Sequence, residues 1–169
     1  MGFDYSKVEK LIGKESGAIP ALDVVSKSDI RHWLEMIHED HRHFMKIDWK
    51  ETCAPPAMII VWTQPPLWSP EPKEPTEPHE LAMKALDEAG YDCAIGIEMD
   101  QEFFTPVKVN DKLSYTVKLK GISKSEVETK TGSGYKVDLQ YTISNQNGKL
   151  VSKQDYTLLK MKDLRPAVK

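Results

Sequence analysis

Apolar positions in the first half of the chain recur at helical spacing. Residues 4–14, DYSKVEKLIGK, predict a short helix ending near Gly13, and Pro20–Val25 a short extended stretch. Ser28 offers an N-cap ahead of Ile30, Trp33, Leu34 and Ile37, whose spacing makes one apolar helical stripe. That stripe gives way to the charged run His38–His43. Pro55 and Pro56 can open a helix, because the first turn needs no N–H from them. The helix they open, AMIIVWTQ, is apolar on every side and is therefore expected to be buried. Pro65 and Pro66 end it, and WSPEPKEPTEP follows as a stiff polar loop. Pro78 or Thr76 then starts a second, surface helix, HELAMKALDEAGY, which Gly90 terminates.

The period changes after Asp92. Strands are predicted at Ala94–Phe104, Lys112–Lys120, Glu126–Thr131, Tyr135–Ser144 and Leu150–Lys160. Tyr115/Val117/Leu119 and Val137/Leu139/Tyr141/Ile143 alternate as in strands with one buried face. Turn chemistry separates them at Val109-Asn110-Asp111, Gly132-Ser133-Gly134 and Asn145-Gln146-Asn147-Gly148. Helices first and an antiparallel meander second is α+β order. A curved antiparallel sheet wrapped around one central apolar helix describes a single hot-dog fold.

The length of 169 residues suits one domain spanning residues 1–169. Net charge is −3, with Lys and Arg scattered, so nucleic acid gains no electrostatic support as a partner. The longest apolar run, Ala57–Trp62, is far short of the roughly 20 residues that cross a bilayer, so no membrane role is expected. The N-terminus lacks a signal-peptide core. Cys53 and Cys93 form no metal-ligand spacing. The expectation is a cytoplasmic protein with both thiols reduced and no metal.

Three stretches resemble the N-terminal half of MaoC-like dehydratases, also called the fungal fatty-acid-synthase-type dehydratase domain. They are Trp33–Phe44 (WLEMIHEDHRHF), Ala54–Trp68 (APPAMIIVWTQPPLW) and Gly96–Val107 (GIEMDQEFFTPV). The last carries a Q-x-F/Y-x-x-P signature ahead of Asn110-Asp111-Lys112-Leu113, where Asn110 replaces the family's turn glycine. The later strands are similar to two-subunit enoyl-CoA hydratases of steroid side-chain breakdown, above all to the subunit lacking the catalytic pair. The resemblance implies acyl-CoA as substrate, no resident cofactor, and a homo- or hetero-oligomer with another hot-dog subunit.

Hydration of an enoyl thioester needs a group that deprotonates water, one that protonates the α-carbon, and a donor that holds the enolate oxygen. The family's hydratases use Asp-x-Asn-Pro-x-His. Here the frame falls on Glu39-Asp40-His41-Arg42-His43-Phe44, with Glu39 for Asp and Phe44 for His. Sliding it by one places Met45 at the His position. Neither frame restores the pair. Glu39, Asp40, His41 and His43 are either a replacement acid/base set or a solvated helix end. The resemblance further assigns Pro56 and the Ala57 N–H to the thioester oxygen. It assigns Trp62, Trp68 and Phe104, with Trp33, to an acyl tunnel; ordinary core packing is the alternative. Arg42, Lys46 and Lys50 are either surface cations or contacts for CoA phosphates, and Cys53 is a small apolar filler.

Three functions fit these residues. One is the acyl-CoA-binding half of an enoyl-CoA hydratase or 3-hydroxyacyl-CoA dehydratase, with catalysis on a partner. Another is a stand-alone hot-dog thioesterase or hydratase. The third is an acyl-CoA-binding module without chemistry.

Overall fold

Alternation builds the sheet. The computed structural model describes residues 3–38, 44–45, 51–66, 68–71, 73–130 and 132–162. The long strands are β2 (Cys93–Phe103), β3 (Leu113–Ile122), β5 (Gly132–Asn145) and β6 (Leu150–Met161). The short ones are β1 (Ile19–Pro20) and β4 (Val127–Thr129). All pairings are antiparallel, in the order β1-β3-β5-β6-β2, with β4 on the start of β5. In β3, Leu113, Tyr115, Val117 and Leu119 turn into the core. A bulge between Leu119 and Gly121 returns Ile122 to the same face. Cross-strand register places Val117, Tyr141, Gln154 and Gln101 in one row across the sheet.

The expected meander is corrected at β2. This strand does not pair with β3, which follows it, but crosses to the far side and pairs with β6. The connection after β2 is what carries the chain across. The Ala54 N–H donates to the Val107 carbonyl at 2.8 Å and the Val109 N–H to the Thr52 carbonyl at 3.3 Å. Asn110 then turns with φ 72°, and Asp111 caps the turn by accepting the Lys108 N–H at 2.8 Å.

The helices are shorter than their sequence patterns. α1 spans only Ser6–Glu9, after which turns lead to Gly13, whose N–H donates to the Leu119 carbonyl. α2 spans Lys27–Met36 and is capped by Ser26 rather than Ser28: the Ser26 hydroxyl accepts the Asp29 N–H at 3.1 Å. Its Ile30 and Leu34 are fully buried. Ile37, expected in the same stripe, is 47% exposed, because the chain leaves the helix with His38 at φ 56°. A 3-10 turn at Pro56–Met58 runs into α3 (Ile59–Thr63). Met58, Ile59 and Trp62 are buried, but Val61 is 39% exposed. The apolar helix is thus covered on one face, not all round, because it lies on the sheet rather than inside a closed barrel.

Helix α4 (Pro78–Glu88) opens with a reciprocal capping box between Glu77 and Glu80 and buries Ala82 and Leu86. Gly90, at φ 87°, ends it. Its C-terminal end is pinned twice. Asp87 pairs with the ammonium of buried Lys160 on β6. The Tyr91 hydroxyl donates to the Glu126 carboxylate, which raises the phenol pKa and lowers that of the acid. No described helix is long and apolar enough to cross a membrane.

Gly132-Ser133-Gly134 is not the turn its composition suggests but the first stretch of β5, paired with β4. A Cβ on Gly134 would lie 2.2 Å from the Lys160 carbonyl oxygen. The glycine is there because another backbone approaches it. Gly134→Ala should lower the unfolding free energy by about 1–3 kcal/mol through overpacking. Gly17→Ala, with no Cβ neighbour closer than 4.0 Å, should stay within about 0.5 kcal/mol. Urea denaturation of both variants checks the contrast.

Candidate functional site

An apolar pocket of about 370 Å³ opens where the start of α3 meets the end of β2. One wall is Phe44, Cys53, Ala54, Pro56 and Ile59; the other is Phe103, Phe104, Thr105, Pro106 and Val107. Backbone bonds hold the walls together. Besides the Ala54–Val107 and Val109–Thr52 bonds, the Cys53 N–H donates to the Phe44 carbonyl at 3.3 Å. Cys53 also forms a β-bridge with Lys108. The Phe104 N–H donates to the Val151 carbonyl at 2.9 Å and fixes the exit from β2. No acidic residue and no histidine is among the described residues lining this pocket. Its size falls in the range of small-molecule sites.

The Q-x-F-x-x-P signature has a local explanation. The Gln101 Nε2 donates to the Ser152 Oγ at 3.2 Å, and that hydroxyl donates to the Glu102 carbonyl at 2.8 Å. This clamp sets the end of β2 against β6, so Phe103 and Pro106 are delivered to the pocket wall. Beside them the concave face carries Tyr141 and Gln154. Burial pushes the Tyr141 phenol up to about 12, with Tyr115 and Tyr156 adding to the shift. Gln154 is 4% exposed, and its Nε2 donates to no described acceptor.

Of the residues singled out in the sequence, Pro56 and Phe104 line the pocket together. Ala57 is exposed just beside it and does not line it. The Met58 N–H makes the first bond of the 3-10 turn, to the Pro55 carbonyl at 2.9 Å. Trp62 is 4% exposed in the core, its indole N–H buried without a described acceptor. Trp68 is 77% exposed and is placed away from the pocket lining. Trp33 packs half-buried against the core. Glu39, Asp40, His41 and His43, with Arg42, Lys46 and Lys50, lie outside the described residues. Cys53 lines the wall as a free thiol, and Cys93 is also free. No group of metal-ligating side chains occurs among the described residues. Phe44, Ala54, Phe103 and Pro106 were not singled out as site residues. The A-P-P and Q-x-F-x-x-P strings were the signal that pointed to three of them.

An open antiparallel sheet with a short apolar helix on one face, and an apolar pocket at the helix start, define a hot-dog protein. Residues 10–154 match the model of the FAS1-like dehydratase domain region, and the chain belongs to that family. Among solved structures, it is similar to a chain of the ChsH1-ChsH2 complex from Mycobacterium tuberculosis. The TM-score is 0.74 at 22% identity, over 96% of this chain and 93% of that one. It is also similar to the (R)-hydratase of A. caviae involved in PHA biosynthesis, with TM-score 0.56 and 10% identity over 88% and 95% of the two chains. The C-terminally truncated HadBC (3R-hydroxyacyl-ACP dehydratase) complex of M. tuberculosis gives 0.50 and 17% over 85% and 95%. At these identities the likeness is one of fold. No curated protein sequence matches the chain.

The pocket's use can be tested without knowing its ligand. Phe104 is 51% exposed, so Phe104→Ser should leave the melting temperature nearly unchanged. It should weaken binding of an apolar fluorophore such as anilinonaphthalene sulfonate by about 1 kcal/mol, roughly half the value of a fully buried aromatic side chain. A fluorescence titration of wild type and variant measures it.

Proposed function

We propose that this chain is the acyl-CoA-binding half of an enoyl-CoA hydratase or 3-hydroxyacyl-CoA dehydratase, and that a partner hot-dog subunit carries the acid and base. One observation carries this reading. Phe44, which takes the hydratase histidine's position in the frame that sets Glu39 at the Asp, sits in the wall of an apolar pocket. A phenyl ring can pack against an acyl chain but cannot move a proton. The pocket accepts the apolar end of the substrate, with the thioester at Pro56 and the backbone N–H of Ala57. The partner supplies the Asp/His pair, with water delivered from its side.

Two neighbours support a paired assembly, since ChsH1-ChsH2 and HadBC are both named as complexes of two subunits. The strand β2 supports it physically. Among the described residues it pairs with β6 alone, which leaves an outer edge that another hot-dog sheet can extend. No resident cofactor is invoked; acyl-CoA is the substrate.

The chain alone should bind crotonyl-CoA by calorimetry but hydrate it no faster than background. Adding a hot-dog partner with an intact Asp-x-Asn-Pro-x-His should raise the rate by about a hundred-fold or more, the scale of lost acid–base catalysis. Glu39→Ala, Asp40→Ala, His41→Ala and His43→Ala should leave the paired rate within about two-fold, since none is asked to transfer a proton. Hydration by the isolated chain at the paired rate would overturn the reading and return those four residues to candidacy. So would failure to bind any CoA ester.

A further inference from the structure

The outer edge of β2 is not a neutral template. Past the bulge between Gly96 and Glu98, the strand runs in unbroken register with β6 to Phe103. Over that stretch its two faces differ sharply. Met99 and Phe103 stand on the concave face and are 45% and 46% exposed. Glu98, Asp100 and Glu102 stand on the opposite face, all exposed. None of these three carboxylates forms an ion pair among the described residues. Of their directly paired neighbours on β6, one is a cation. Thr157 faces Glu98, and Asp155 faces Asp100, itself already paired with Lys120 at 3.0 Å. Lys153 faces Glu102 without an ion pair.

Consider this edge meeting a second copy of itself. Two antiparallel copies related by a two-fold axis must pair residues of the same face, so the paired numbers sum to an even value. Centred on Asp100, the pairing sets Asp100 against its own copy and Glu98 against Glu102. Centred on Met99, it sets Glu98 against Asp100; centred on Gln101, it sets Asp100 against Glu102. Each of these registers opposes carboxylates directly, which disfavours the pairing. A different chain with Lys or Arg at alternate outward positions, and apolar side chains on its concave side, meets both faces in complement.

We propose that β2 is an interface strand that rejects self-pairing and selects a partner strand bearing alternating basic residues. The proposal rests on the two-subunit reading for the existence of that partner, but it concerns recognition and not catalysis.

A copy of this chain can serve as the probe. Glu98→Lys/Asp100→Lys/Glu102→Lys supplies the complementary charges, and sedimentation velocity reads the assembly, with circular dichroism confirming the fold of each protein. Wild type alone and the lysine variant alone should both stay monomeric, while their mixture forms a dimer. The mixed affinity should exceed either self-affinity by about ten-fold or more, and it should weaken as ionic strength rises above about 0.15 M. The neutral variant Glu98→Gln/Asp100→Asn/Glu102→Gln should gain self-association relative to wild type. Wild type that already dimerises, with an affinity unmoved by the neutral variant, would overturn the proposal. So would a mixture that stays monomeric. Neither result touches acyl-CoA binding, so this inference and the functional reading fail by different measurements.

Discussion

Backbone groups in a sheet need partners on both sides, and the whole arrangement follows from how that demand is met. β5 meets it fully, with β6 along one edge and β4 followed by β3 along the other. β6 meets it with β5 and β2. β3 ends against the two-residue β1 and against Gly13 and Ser16, whose N–H groups donate to the Leu119 and Val117 carbonyls. Among the described residues, β2 is the long strand left with an open side. The segment that follows it turns away to bond with Thr52 and Ala54 instead of pairing back along that open side. The same stitching that leaves the edge open also assembles the pocket. Edge and pocket are two results of one crossover.

This coupling explains why the site is so apolar. Its walls are a strand exit and a helix entrance whose polar backbone groups are used on one another, in the bonds joining Phe44, Cys53 and Ala54 to their partners. What remains to face the cavity is side chain, and the side chains are Phe, Pro, Ile, Val and Ala, with Cys53 and Thr105 the least apolar. Such a surface binds by area and excludes water. Among the described residues that line it, none offers a carboxylate or an imidazole for proton transfer.

Most of the sheet was legible in the sequence because alternation and turn residues agree. Tyr115, Val117 and Leu119 mark one face of β3, and Asn147-Gly148 marks the hairpin, with Gly148 at φ 70°. What failed did so for identifiable reasons. Gly132 and Gly134 read as a turn because glycine serves turns and close backbone approaches alike, and sequence does not separate the two. The order of β2 was hidden because pairing with β6 is a long-range choice that no local pattern encodes. The apolar run at Ala57–Trp62 carried the helix but not its coverage, since Val61 is left exposed among the described residues. For the site, the A-P-P and Q-x-F-x-x-P strings marked both walls, and Pro56 and Phe104 were chosen from them. The tryptophans at 62 and 68 attracted attention by size, and one lies in the core and the other in solvent.

The Asn145–Gly148 hairpin also sets the order in which the chain can afford to fold. Joining β5 to β6 closes a loop of a few residues, held by Asn145 Oδ1 accepting the Asn147 and Lys149 N–H groups. β3 reaches β5 across a modest loop, with Ile122 meeting Val137. β2 has to bring Cys93 to Met161 and Phe103 to Ser152 across most of the second half of the chain. Loop closure grows costlier with that separation, and long-range pairings are slow to form. Among the long strands, β2 is therefore the one whose pairing is least local and is expected to form last.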